Sequence, residues 1–228
     1  MIRSFPRRVG LPAMLVSAVL ASPVATASDP PDSGFLPDYS LLKPVKGPSG
    51  GMIERWISPK LSRENYHAVI VDPVEFYPEP RPTPQVSQPT LDEISAYLSN
   101  ALSNVALASV PKATGPGPGV LRLRAAITAV ATGDTSLKPY ELVPAAFVFS
   151  GAMRLAGQRS QDVTLSVEAM VVDSVSGEPL AMAVRQGKGE QLKNKTAPVT
   201  LAAIKPRIDE WAAAAATIVD ERIGQKAH

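Results

Sequence analysis

The chain has 228 residues, with 23 Lys+Arg against 21 Asp+Glu, 45% hydrophobic and 19% charged residues, the balance of a globular protein rather than a disordered or fibrous one. It contains no cysteine, which excludes disulfides, thiolate metal sites, iron–sulfur clusters and a cysteine nucleophile. Two histidines, His67 and His228, are too few for a His-rich metal centre, and 23 prolines, about twice the usual ~5%, point to much extended connection.

Arg3, Arg7 and Arg8 form a basic head, followed by an uncharged run rich in Leu, Val and Ala and by the small residues of Val24-Ala25-Thr26-Ala27. This is the layout of a secretory signal peptide, so residues 1–27 are expected to be removed before Ser28. An uncleaved anchor is the other reading. A membrane-spanning helix needs ~20 predominantly apolar residues, and Pro12, Ser17, Ser22, Pro23 and Thr26 dilute this run. The Arg7-Arg8 pair suggests twin-arginine export, but ordinary charge at the head of a leader accounts for it. Removal takes away three arginines and no acid, so the formal net charge falls from +2 to −1. A near-neutral exported chain gives no electrostatic reason to expect nucleic acid or an anionic membrane as partner.

Residues 28–62 read as an extended arm, with Pro30, Pro31, Pro37, Pro44 and Pro48 among Gly34, Gly47 and Gly50. Phe35-Leu36-Pro37-Asp38-Tyr39-Ser40-Leu41-Leu42 is too apolar for a solvated tail, so the arm is expected to pack back onto the domain. Trp56-Ile57 before Ser58-Pro59 repeats the pattern of an aromatic anchor and a break. Residues 63–228 read as a single α+β domain.

Within it, Ala68-Val69-Ile70-Val71 is a β-branched strand that Val74, Phe76 and Tyr77 continue past a kink at Pro73. The prolines of 78–84 make a stiff linker rather than a ligand for a proline-binding module. Thr90-Leu91-Asp92-Glu93 fits a capping box, and Leu91, Ile94, Leu98, Ala101, Leu102 and Val105 fall on one helical stripe to about Leu107. Gly115-Pro116-Gly117-Pro118-Gly119 is a turn, since it lacks the Lys-Ser/Thr of a phosphate loop and its prolines remove two amides.

Leu121, Leu123, Ala125, Ile127 and Ala129 alternate with Arg122, Arg124 and Thr128 in a strand. A second runs through Leu165, Val167, Ala169 and Val171, and a turn at 173–179 leads to a third through Leu180, Met182 and Val184. A helix is expected over 207–223, with Pro206 near its start and Ile208, Trp211, Ala212, Ala215 and Val219 buried. The expected fold is α+β: a mainly antiparallel sheet of about four strands, in β-α-β-β-β-α order, with two helices on one face and a proline-rich arm in front.

Four stretches resemble a known family: Ser33-Gly34-Phe35-Leu36-Pro37-Asp38-Tyr39, Val71-Asp72-Pro73-Val74-Glu75, Leu121-Arg122-Leu123-Arg124-Ala125-Ala126-Ile127, and Asp173 with Ser176-Gly177-Glu178-Pro179-Leu180-Ala181. Together, in this order, they are similar to the bacterial envelope lipoproteins catalogued as domain of unknown function 3313. The resemblance implies an exported Gram-negative protein with no assigned activity. Many members carry a lipidated cysteine after the leader; its absence here favours a soluble periplasmic form.

Arg122 and Arg124, two residues apart, project together from their strand, with Arg185 expected on the polar face of another. These three could grip an anionic envelope glycan or lipid, or they could form a cross-strand ladder with Glu168, which is the plainer reading. Asp72 and Glu75, or Asp173 and Glu178, could act as a glycosidase pair, but acids at turns normally bind nearby amides. His67 could be a general base, yet Gly-x-Ser-x-Gly is absent; nor does any Asp-rich loop have calcium spacing. The apolar stretch 142–157, with Phe147, Phe149, Met153 and Leu155, could dock a partner or touch a membrane, or be buried on the sheet.

The sequence therefore leads to an exported protein of the periplasm or outer-membrane surface, acting as a non-catalytic interaction or structural component. It implies no metal, no cofactor and no transmembrane helix after leader removal, and an envelope protein or glycan as partner. A glycan- or lipid-binding domain and a hydrolase with an unrecognised site are the alternatives.

Overall fold

A computed structural model of the protein describes residues 33–47, 51–133 and 161–223. The expected leader, and the stretch 142–157 with Phe147, Phe149, Met153 and Leu155, lie outside the described residues. In chain order the elements are β1 (Lys43–Lys46), β2 (Met52–Ile57), β3 (Ala68–Val71), β4 (Glu75–Phe76), α1 (Gln88–Ser109), β5 (Val120–Gly133), β6 (Gln161–Asp173), β7 (Pro179–Leu192) and α2 (Leu201–Arg222).

Among the described residues the strands form one seven-stranded sheet in the order β1-β2-β7-β6-β5-β3, with β4 also pairing β5. The α+β class stands, but the expected four-strand sheet and its β-α-β-β-β-α order do not. Two strands come from the proline-rich stretch, where β2 pairs antiparallel with β7 and β1 with β2. Pro44 is compatible with a strand there because β1 is an edge, and Lys43 and Lys46 guard that edge against further pairing. β3 and β4 run parallel to β5. A parallel pair needs a long crossover, and α1 supplies it.

Helix α1 begins three residues earlier than the capping box suggested. Ser87 is the cap, its Oγ accepting from the Thr90 amide at 3.3 Å, and Pro89 sits in the first turn where a missing N–H costs nothing. Helix α2 also starts earlier, at Leu201, so Pro206 lies inside it rather than near its start. Pro206 and Ala202 are both exposed, so the carbonyl that loses its donor can turn to water.

Both helices lie on the same face of the sheet. Ile94 and Leu98 of α1 meet Ile204 and Ile208 of α2 over Ile127, Val163 and Leu165, all at most 2% exposed. Each such side chain contributes about 1.5–3 kcal/mol by leaving water. The helices run parallel, since Tyr97 bonds Asp209 and, further along, Ser109 bonds Asp220. Helix α2 rides so close to β7 that a Cβ on Gly189 would stand 2.4 Å from the Ala203 carbonyl oxygen, so no larger residue fits without displacing the helix. The opposite face carries a smaller cluster in which Phe35 and Leu36 cover Ala126, Met170 and Met182, with Trp56 and Tyr39 alongside.

Candidate functional site

The second face is where the candidate residues collect. In the sheet register Arg122 stands opposite Val172, Arg124 opposite Met170 and Ala126 opposite Glu168, so both arginines project toward the arm. Arg185 does not join them. It stands opposite Val167, which itself opposes Ile127, on the helix-covered face, where its guanidinium lies 5.5 Å from the Trp211 ring centre. Burial there lowers its pKa, opposed by Glu210. The pairing of Glu168 with the arginines is also replaced: Glu168 is buried and accepts a 2.6 Å bond from the Tyr39 hydroxyl.

The arginines find their carboxylates on the parallel edge. Arg122 Nε donates to Asp72 Oδ2 at 2.8 Å, and Arg124 Nη2 to Glu75 Oε1 at 3.0 Å. Three residues apart, Asp72 and Glu75 would face opposite sides of an uninterrupted strand. The register shows how they come to share one: Val71 pairs with Leu123 and Glu75 with Ala126, so the edge holds one residue more than β5 over the same span. The extra residue falls at Pro73, and Val74 is held by α1, its amide donating to Ser99 Oγ at 2.8 Å and its carbonyl accepting from Ser95 Oγ at 2.7 Å. Both pairs are about two-fifths exposed at the arginine, so each contributes ~0–1 kcal/mol to stability and mainly fixes geometry.

The arm forms a second wall. The Tyr39 hydroxyl accepts from the amides of Gly34 at 3.1 Å and Leu36 at 3.2 Å while donating to Glu168, so one oxygen both folds the arm and ties it to the sheet. Burial first, then the bond to Glu168, raises the Tyr39 pKa. Phe35 comes within 5.5 Å of the Arg124 guanidinium and 5.9 Å of the Tyr77 ring.

The β6–β7 loop is the third wall. Asp173 Oδ1 accepts from the amides of Ser176 at 2.8 Å and Val175 at 3.0 Å, and Oδ2 from the Tyr66 hydroxyl at 3.1 Å, which lowers the Asp173 pKa, the Ser176 amide contributing most. Tyr66 is pushed up to about 12 by burial and by Asp173. Gly177 completes the turn at φ +73.

Between these walls lies an open groove of about 1000 Å³, floored by Met170 and Val172. His67 is exposed, donates its amide to Gly119 O at 3.0 Å and does not line the groove. Among the described residues no three His, Asp or Glu side chains stand together as metal ligands, and no helix is long and apolar enough to cross a membrane.

All four stretches that carried the family resemblance meet at this groove: 34–37 as the arm wall, Asp72 and Glu75 at the edge, Arg122 and Arg124 on β5, and the loop from Asp173 to Pro179. Fold and site thus define an α+β sheet protein with a charged groove roofed on one side by an N-terminal arm. The chain belongs to the family described as protein of unknown function, DUF3313, whose model matches residues 31–215. It is 35% identical over 202 residues to the uncharacterized lipoprotein YdcL of Escherichia coli K12, covering 88% of this chain and 91% of that one, and it matches the O157:H7 protein equally. Among solved structures, the PelC dodecamer of Paraburkholderia phytofirmans is 11% identical over 77% of this chain and 98% of its own, at a TM-score of 0.33. The hypothetical protein CT253 of Chlamydia trachomatis is 13% identical over 69% and 98%, at 0.38. Likenesses of that size carry no functional argument.

Proposed function

We propose that this chain is a non-catalytic binding component of the bacterial cell envelope, with the arginine groove as its working surface. The observation that carries the reading is the convergence just described: four stretches far apart in sequence, those by which the family is recognised, line one groove that the described residues leave open. A fold kept only for stability would gather such stretches in the core. Their apolar residues do enter the core, Val74, Ala125 and Ile127 under the helices and Phe35, Leu36 and Ala126 on the other face, but their charged residues Asp72, Glu75, Arg122 and Arg124 line the groove.

The cell-envelope location is supported by the description of the Escherichia coli relatives as lipoproteins and by the basic-then-apolar head at residues 1–27. The binding reading is supported by the composition of the groove, whose guanidinium and carboxylate groups are paired and half exposed, an arrangement suited to recognition. His67 does not line the groove.

The test is site-directed photocrosslinking in intact cells. A crosslinker at Val175, which is 67% exposed on the groove rim, is expected to trap a defined envelope component, and one at Lys205 on α2 is expected not to. Equal trapping from both positions, or none from Val175, would sink the proposal.

A further inference from the structure

The donors and acceptors in the groove narrow the chemistry of what it binds, an inference that rests on the groove being the working surface. Arginine carries five N–H groups. Arg122 spends only its Nε on Asp72, and Arg124 only one bond, from Nη2, on Glu75. Among the described residues, the Nη1 and Nη2 groups of Arg122, and Nε and Nη1 of Arg124, meet no acceptor. The acids are matched in the same way: Asp72 uses Oδ2 and Glu75 uses Oε1 on the arginines, and among the described residues nothing donates to Asp72 Oδ1 or Glu75 Oε2. Asp173 is different, with Oδ1 engaged by amides of its own loop and Oδ2 by the Tyr66 hydroxyl.

The groove therefore offers open cationic donors and open anionic acceptors side by side, over an apolar floor of Met170 and Val172. A compact dianion such as phosphate would gain two guanidinium groups but face three carboxylates. A cation would face two arginines. A neutral apolar ligand would leave the guanidinium groups and carboxylates stripped of water without partners. What fits is a ligand with one carboxylate and several hydroxyl groups close to it, whose ring C–H faces can lie on the apolar floor. An extended peptide would need a strand edge, and the edge beside the groove is broken by Pro73 and ends before Pro78.

We propose that the groove binds a carboxylated sugar, the carboxylate taken by Arg122 and Arg124 and neighbouring hydroxyl groups donating to Asp72 and Glu75. A pocket for a single ligand occupies roughly 300–1,000 Å³, so a groove of about 1000 Å³ has room for more than one ring.

Calorimetric titration of the exported protein tests this with four probes: digalacturonate, galactose, inorganic phosphate and tri-alanine. Digalacturonate is expected to bind, with galactose, phosphate and tri-alanine each at least about tenfold weaker. The Arg122→Gln/Arg124→Gln protein is expected to lose digalacturonate ~10–100-fold with its thermal midpoint kept. Asp72→Asn/Glu75→Gln, which keeps the arginines, is expected to raise phosphate affinity relative to digalacturonate, a reversal that mere unfolding cannot produce. Comparing galacturonate with its oligomers separates sources. Equal affinity indicates a free sugar acid, and rising affinity with length indicates a polysaccharide; both uphold the carboxylated sugar.

Phosphate or tri-alanine binding as tightly as digalacturonate would overturn the assignment. So would a folded protein that ignores all uronates. If in that last case Val175 still traps an envelope component, the ligand class falls while the groove stands; if it traps nothing, both fall.

Discussion

The two faces of the sheet are covered in opposite ways. On one, two parallel 22-residue helices press onto β5, β6 and β7, so closely at Gly189 that a Cβ has no space. On the other, the short arm around Phe35 and Leu36 covers part of the sheet and is tied to it through one phenolic oxygen. The first contact is broad and mainly apolar. The second is narrow, and charged residues continue from its margin into open solvent. One sheet thus divides its labour: stability is concentrated under the helices, which frees the arm face to keep charges and a groove.

Substitutions on the two faces should separate these roles. Ile208→Ala, at 0% exposure on the buried side of α2, is expected to cost about 2–5 kcal/mol in denaturant unfolding. A loss below about 1 kcal/mol would mean that the helix face is looser than described.

Tyr39→Phe removes the 2.6 Å bond to buried Glu168 and is expected to cost ~1.5–3 kcal/mol, felt mainly by the arm. Trp56 packs in the same cluster and reports on it, so its fluorescence in a Trp211→Phe background should change while far-UV dichroism does not. The same bond has a pH signature. A tyrosine raised above its ordinary value of ~10 contributes stability that is present below that value and is lost as pH rises through the higher one. An alkaline change in Trp56 fluorescence is expected in the parent and absent in Tyr39→Phe.

Asp173→Asn should give a smaller effect at the other end of the scale. The Asp173 carboxyl is lowered chiefly by the Ser176 amide, so its contribution is present above the ordinary carboxylate value of ~3.9 and lost as pH falls through the lower one. Amide exchange in the 173–179 loop is expected to accelerate in acid for the parent and to be nearly flat for the variant. The smallest change in stability is expected from Arg122→Gln/Arg124→Gln, within about 1 kcal/mol, despite the loss of two ion pairs. A larger loss would mean that the arginines brace the sheet rather than face a ligand.

Much of the helix face was legible in the sequence, because Leu91, Ile94 and Leu98, and later Ile208 and Trp211, repeat at the period of a helix and were bound to be buried. Helix starts were less so. Thr90-Leu91-Asp92-Glu93 fits a cap by composition, but Ser87 does the same one turn earlier, and Pro206 looks like a beginning when exposure lets it sit inside. β1 and β2 were hidden by Pro44 and by the glycines between them, since β2 takes its order from a partner far along the chain and β1 from β2.

The site was half visible. Arg122 and Arg124 share a face by simple alternation, but the register that sends Arg185 to the other face depends on long-range pairing. The partnership of Asp72 and Glu75 depends on one extra residue beside Pro73 in a parallel pair; the proline marked the kink in the sequence, but not that it would turn both acids to the arginine face. The family stretches held the remaining signal, since the same residues line all three walls, but only the fold brings them together.

The order of the sheet also sets an order in time. A chain emerging from its N-terminus delivers the arm, β1 and β2 first, yet β2 pairs with β7, whose residues 179–192 come near the end. Contacts between such distant segments form late, after the costly closure of a long loop. The Tyr39 partner, Glu168, arrives late as well. The groove therefore cannot be complete until the start of β7 has been made, and a chain cut short between β5 and β7 keeps its arginines but has no completed groove to place them in.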